Sequence, residues 1–180
     1  MRLLRSIKIR LVNYYYKIFP TVVVSIDELI YPHRHDITYR VDFIKNYILK
    51  SSSNYENSDY FKFLVNLNKH PYYIEKIEIE ELIEKFTNLY FSIKNNGYQP
   101  KKYGYITVEK VNSKINFVYP SDGELIKGLE VKNKYFLREG AHRLAVLKAL
   151  GYSNVKCKKI YRASTSSSDY SSFIKSFNYD

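Results

Sequence analysis

The sequence predicts an α+β fold, and three observations carry that prediction. Short β-branched or alternating stretches read as strands at residues 21–25, 103–110, 115–119, 130–138 and 155–161. Within residues 74–93, Leu82, Phe86, Leu89 and Ile93 recur at helical spacing, with Ile83 and Tyr90 beside that stripe. Finally, the stretch 130–138 runs into Glu139-Gly140, after which Leu144, Leu147 and Leu150, supported by Ala141, Ala145 and Val146, draw a helix that Gly151 ends.

The remaining elements follow in chain order. Leu4, Ile7, Leu11, Tyr15 and Ile18 mark one stripe of a basic amphipathic helix over residues 1–20, closed by Pro20. After the first strand, Asp27 to Ile30 reads as a short helical turn stopped at Tyr31-Pro32. A helix begins at Asp36 with Val41, Ile44, Tyr47 and Ile48 facing inward. Ser51 to Asn54 is a loop, and Asp59 caps a short helix that uses Phe61, Phe63, Leu64 and Leu67 before His70-Pro71. Glu78, Glu80, Glu81 and Glu84 crowd the start of the long helix, where its dipole favours acids, and Asn95-Asn96-Gly97 supplies a left-handed stop. Pro120 to Gly123 is a turn. At 180 residues the chain has room for one core with additions. We therefore read a domain over 21–162, a helical insertion over about 36–78, and a Ser-rich tail over 163–180.

Composition narrows the function classes. With 45% hydrophobic and 17% aromatic residues, disorder is excluded as a description of the whole chain. Cys157 is the single cysteine, so there is no disulfide framework or thiolate zinc cluster, and a reducing, cytoplasmic interior is the simplest compartment. No uninterrupted apolar run lies between Met1 and Phe19, which argues against a cleaved signal peptide and a membrane span. The net charge of +11 is local: residues 1–20 and 151–162 hold nine basic residues and no acids. Such patches suit phosphate, nucleic acid or, through residues 1–19, peripheral contact with an anionic membrane; a solvated basic face is the plainer alternative. His33 and His35 are a weak metal signal without a third ligand nearby, and their role stays open.

The segment with the most chemistry is residues 134–151. A strand delivers the chain to a turn that glycine permits, and a helix starts there with free N–H groups, its dipole, His142 and Arg143 at one end. Those features favour an anion, phosphate above all. Arg143 can add a bidentate contact and His142 a further donor, while Glu139 is placed to accept a proton or help hold a metal ion beside phosphates. Structural roles stand beside these: Arg143 pairing with Glu139, His142 satisfying a core carbonyl.

Gly140-Ala141-His142-Arg143-Leu144-Ala145, followed by Leu150-Gly151 and a strand, resembles the acidic-Gly-x-His-Arg-hydrophobic-Ala pattern of the ParB N-terminal/sulfiredoxin-like superfamily. Residues 23–32, with Arg34 after them, resemble the opening strand and Pro/Arg turn of those domains. Residues 91–97 resemble the helix end before their second strand. A looser likeness links His33 to Asp36, Arg40 to Phe43 and Ile93 to Gly97, ahead of Gly140 to Arg143, to stand-alone proteins found with cell-surface polysaccharide genes. The resemblance implies a small mixed β-sheet flanked by helices, with nucleotide phosphates cradled at Gly140, Ala141, His142 and Arg143 and assisted by Arg34. It further implies ATP or ADP, or CTP, with Mg²⁺, and Glu139 or Asp36 as the base toward an unknown small-molecule acceptor. Residues 36–78 have no counterpart. Where sulfiredoxin has its catalytic cysteine this chain has Ala141, so sulfinic acid repair is not expected. The expectation is a phosphotransferase; the alternative is a DNA-binding or nucleotide-gated protein without kinase activity, although the chain shows no helix-turn-helix pattern.

Overall fold

Valines at 22, 23 and 24 lose side-chain freedom in a helix and pack well on a pleated surface. They form the edge strand β1 (Thr21–Ser25), with Val24 buried and Val23 exposed. A computed structural model describes residues 20–30, 36–50, 54–69, 78–114 and 130–160. After β1 come β2 (Leu29–Ile30), helix α1 (Asp36–Phe43) running into a π-helical turn (Ile44–Ile48), a 3₁₀ turn (Tyr55–Asn57), and helices α2 (Asp59–Lys69), α3 (Ile79–Asn96) and α4 (Pro100–Tyr103). The chain continues through β3 (Ile106–Lys114), β4 (Glu130–Glu139), α5 (Ala141–Ala149) and β5 (Asn154–Ile160). The fold is thus α+β.

Among the described residues the five strands form one mixed sheet in the order β1-β5-β3-β4-β2. β1 pairs antiparallel with β5 and β3 with β4, whereas β3/β5 and β2/β4 are parallel. Period-two alternation points Val24, Ile106, Val108, Leu137, Val155 and Cys157 into the core. Lys156 and Lys158 alternate with the inward residues of β5 and are exposed.

α5 lies between this sheet and α1 and α3, touching β3 on one side and those helices on the other. That position explains why four consecutive residues, Leu144 to Leu147, are all buried, a pattern suited to a helix covered all round. Phe43, Ile44, Tyr60 and Leu64 belong to the same buried cluster as Leu144 and Val155. The described parts of residues 36–78 therefore help build the core that holds α5.

Several local expectations need correction. Asp27 to Ile30 is not helical: Glu28 N–H donates to Ser25 O and Leu29 N–H to Ile26 O in a turn, after which Leu29 and Ile30 pair with Tyr135 and Phe136. Two adjacent apolar residues complete a ladder with β4 that a single helical turn could not replace. Along α1 and the π-helical turn the buried residues are Asp36, Ile37, Arg40, Phe43, Ile44 and Ile48; Ile44 and Ile48 thus face inward as expected, and Val41 and Tyr47 pack half-buried against the core. The π-helical turn, in which Leu49 N–H donates to Ile44 O at 3.0 Å, continues this face with Ile44 and Ile48 buried. Ser58, not Asp59, caps α2: its Oγ accepts from Phe61 N–H at 3.1 Å. On α3 the buried line is Ile83, Phe86, Tyr90 and Ile93, with Leu82 and Leu89 at its margin. Tyr103 belongs to α4, because Pro100 starts a helical turn in which the N–H groups of Lys102 and Tyr103 both donate to Gln99 O. The expected elements at 1–19, 115–123 and 163–180 lie outside the described residues, as do His33, Arg34 and His35.

Candidate functional site at the start of helix α5

β4 and α5 meet at Gly140, whose φ of 96° and ψ of 28° place it in the left-handed region. A Cβ there would sit 3.0 Å from Cγ1 of Ile106 and 3.2 Å from Nε and Nη2 of Arg143. Glycine is thus required twice, for the backbone and for the close approach of Arg143. The first helical bond of α5 is Leu144 N–H to Gly140 O at 2.9 Å, so the N–H groups of Ala141, His142 and Arg143 precede the helical ladder. Ala141 is buried against the core, whereas His142 and Arg143 are partly exposed beside those donors. Glu139 is exposed, and no ion pair joins it to Arg143.

Arg143 instead reaches across to the α4–β3 junction, where its Nη1 donates to Tyr103 O at 2.8 Å. The passage is open because residue 104 is glycine: a Cβ on Gly104 would lie only 2.2 Å from Nη1 of Arg143. Two tyrosines buttress this junction. Tyr98 Oη donates to Gly104 O at 2.9 Å, and the Tyr98 ring stacks on Tyr103, with centroids 6.4 Å apart. Tyr103 Oη in turn lies 2.9 Å from Ser92 Oγ. Burial pushes the Tyr98 hydroxyl above the ordinary tyrosine range, against the opposing pull of the Ile106 backbone and of the Arg143 charge.

His142 faces the helical side. Its Nε2 is 2.7 Å from Tyr60 Oη, and its ring lies 4.9 Å from the Phe86 ring, centroid to centroid. The Arg40 guanidinium sits 4.9 Å from the centroid of Tyr60, and Arg40 is ion-paired with Asp36 one helical turn away, both groups buried. Asp36 and His142 are therefore joined through Arg40 and Tyr60. Asp36 serves here as the counter-ion of a buried guanidinium, so protonating it would cost that pair. Glu139 is left as the exposed carboxylate at the turn.

On the opposite face of the sheet, Glu109 Oε2 accepts from Arg138 at 2.7 Å (Nε) and 2.5 Å (Nη2). Thr107, the register partner of Glu139, is buried, and its Oγ1 makes no hydrogen bond. A buried hydroxyl without a partner is destabilising. Thr107→Val is expected to leave stability unchanged or raise it by about 1 kcal/mol in urea unfolding; a loss of that size would mean that the hydroxyl is bonded in solution.

No family model, curated protein or solved structure matches this chain. The site is accordingly read from its own geometry. Among the described residues no group of three or more His, Cys, Asp or Glu side chains converges to hold a metal ion, and no helix is long and apolar enough to cross a membrane. Burial pushes the Cys157 thiol up to about 12, which keeps it protonated and unsuited to nucleophilic work.

Sequence reasoning missed Tyr60, Tyr103 and Gly104. Gly104 lies two residues before the first residue of β3, next to a strand, where glycine often marks close backbone approach. Tyr60 carries no local signal, being 82 residues from His142 in the chain.

Proposed function

We propose that this protein binds nucleotide phosphates at the start of α5 and transfers a phosphoryl group from ATP or ADP to a small hydroxyl acceptor. The observation that carries the reading is the left-handed Gly140, which begins a nine-residue helix with three N–H groups outside the ladder, flanked by the imidazole of His142 and the guanidinium of Arg143. The N–H groups of a first helical turn, the helix dipole and a fixed cation together favour a phosphate. The likeness to the ParB N-terminal/sulfiredoxin-like pattern at Gly140 to Ala145 supports the same assignment.

In this reading the chain's own contribution is to position and to neutralise charge. Arg143, braced against Tyr103 O, is pre-organised and loses little freedom on binding an anion. Glu139 takes the proton of the acceptor hydroxyl as the new O–P bond forms and the bond to the leaving nucleotide breaks, the nucleotide oxygen carrying away the electron pair. A Mg²⁺ ion would arrive with the nucleotide, held by its phosphates and water, and would supply charge neutralisation, while Glu139 keeps the role of base.

The test is thermal unfolding with and without Mg²⁺ across ATP, ADP, CTP, GTP and a short DNA duplex, in parallel for wild type and Arg143→Ala, each compared with its own ligand-free midpoint. A nucleotide at a hundred times its Kd should stabilise the wild type by about 2.7 kcal/mol. Arg143→Ala should weaken affinity by about 1.5–3 kcal/mol, the value of a charge-assisted hydrogen bond. Equal ligand shifts in both proteins would remove the phosphate from this site. One observation favours the alternative of a nucleic-acid-binding protein: Lys156 and Lys158 project from one exposed face of β5. Stabilisation by the duplex alone, vanishing with salt, would select it.

A further inference from the structure

The described part of the segment without a counterpart in the resembling superfamily reaches the phosphate site through one side chain. Tyr60, on α2, is wholly buried, and its Oη meets Nε2 of His142 at 2.7 Å. We propose that Tyr60 is a positioning residue for this site: its hydroxyl donates to Nε2 of His142 and so holds the imidazole proton on Nδ1.

The direction of that hydrogen bond follows from its surroundings. A phenol is a stronger donor than acceptor, and a neutral imidazole nitrogen accepts well. The Arg40 guanidinium over the Tyr60 ring draws density from it and strengthens donation further. Asp36 keeps Arg40 in place through their buried ion pair. Which nitrogen of a histidine carries the proton is set by the bond the other nitrogen makes. Tyr60 also fixes the ring plane, together with Phe86, whose ring lies 4.9 Å away. A histidine held in this way keeps its proton on Nδ1 and its ring in one orientation at the start of α5. For its effect on phosphate the proposal rests on the phosphate reading above; for the tautomer it stands alone.

The two parts separate in one experiment. Imidazole ¹⁵N spectra are recorded at about pH 8.5, where an ordinary histidine is neutral, for wild type and Tyr60→Phe, with His142→Gln identifying the signal of His142. Wild type should show the proton on Nδ1 of His142, and Tyr60→Phe should weaken that preference for Nδ1 while keeping the ring contacts with Arg40 and Phe86. A proton on Nε2 in the wild type, or identical spectra in the two proteins, would overturn the proposal. The wild-type spectrum decides the matter even if Tyr60→Phe does not fold. Titration with ATP, and with inorganic phosphate, completes the test: Tyr60→Phe should bind ATP about tenfold more weakly, the value of one hydrogen bond no longer oriented. Unchanged ATP affinity together with a changed tautomer would overturn the positioning role. Absence of any binding by the wild type would sink the phosphate reading and leave the tautomer assignment to its own spectrum.

Discussion

Asp36→Ala should destabilise the protein by about 3–5 kcal/mol, because it removes the carboxylate paired with the buried Arg40 guanidinium. Arg40 is only 4% exposed, so it cannot turn to water without opening the packing of α1 against α5. For a chain of this size the loss corresponds to a fall of roughly 10 °C in Tm. The cost should also be non-additive. In the double variant Asp36→Ala/Arg40→Met both charges are gone, and stability should recover part of the way toward wild type, as replacing both members of a buried pair commonly allows. Urea unfolding of the single and double variants gives the coupling directly. A single variant as stable as wild type would show that Asp36 is not holding Arg40, and would free Asp36 for the role of base that its place in the sequence first suggested.

Gly104→Ala is expected to cost about 2–4 kcal/mol and, in addition, to impair the proposed phosphate binding as is expected of Arg143→Ala. Two effects act at the same residue. The backbone at Gly104 has φ 83° and ψ 153°, a conformation that residues with a Cβ essentially avoid. The added methyl would also lie 2.2 Å from Nη1 of Arg143, so the guanidinium must leave Tyr103 O. Thermal unfolding with and without ATP separates the two contributions: the ligand-free midpoint reports strain, and the ligand-induced shift reports whether Arg143 still serves the site. An unchanged ligand shift would mean that the position of Arg143 against Tyr103 is immaterial to binding. An unchanged ligand-free midpoint would show that the loop relaxes around the methyl.

The paired role of Gly104 and Gly140 shows why Arg143 resists a purely functional or purely structural description. The guanidinium joins the end of α4 to the start of α5 and lies beside the helix N-terminus at the same time. The bond to Tyr103 removes freedom that a ligand would otherwise have to remove, which is how a bonded cation can be a better anion site than a free one. Arg143→Ala therefore has to be judged by the ligand-induced shift and not by stability alone.

What the sequence by itself determined about this protein is whatever local chemistry decides. Apolar period-two stretches made strands at 21–25, 130–139 and 154–160, and a glycine between β4 and an apolar helical pattern made the strand-turn-helix at 130–149, because turn geometry and amphipathic period act over a few residues. The α+β class and the place of Glu139 to Arg143 at a strand-to-helix turn were legible for that reason. Tertiary structure alone decided the partners. Leu29 and Ile30 became a strand because β4, more than a hundred residues on, offers them a ladder. Arg40 joined the buried face of α1 because Asp36 and the Tyr60 ring meet it there, which periodicity does not announce. Arg143 found a carbonyl 40 residues away, and His142 a hydroxyl 82 residues away. A side chain's partner is chosen by which elements pack together, and the sequence of a segment carries its own propensity but not the identity of the surface it will meet.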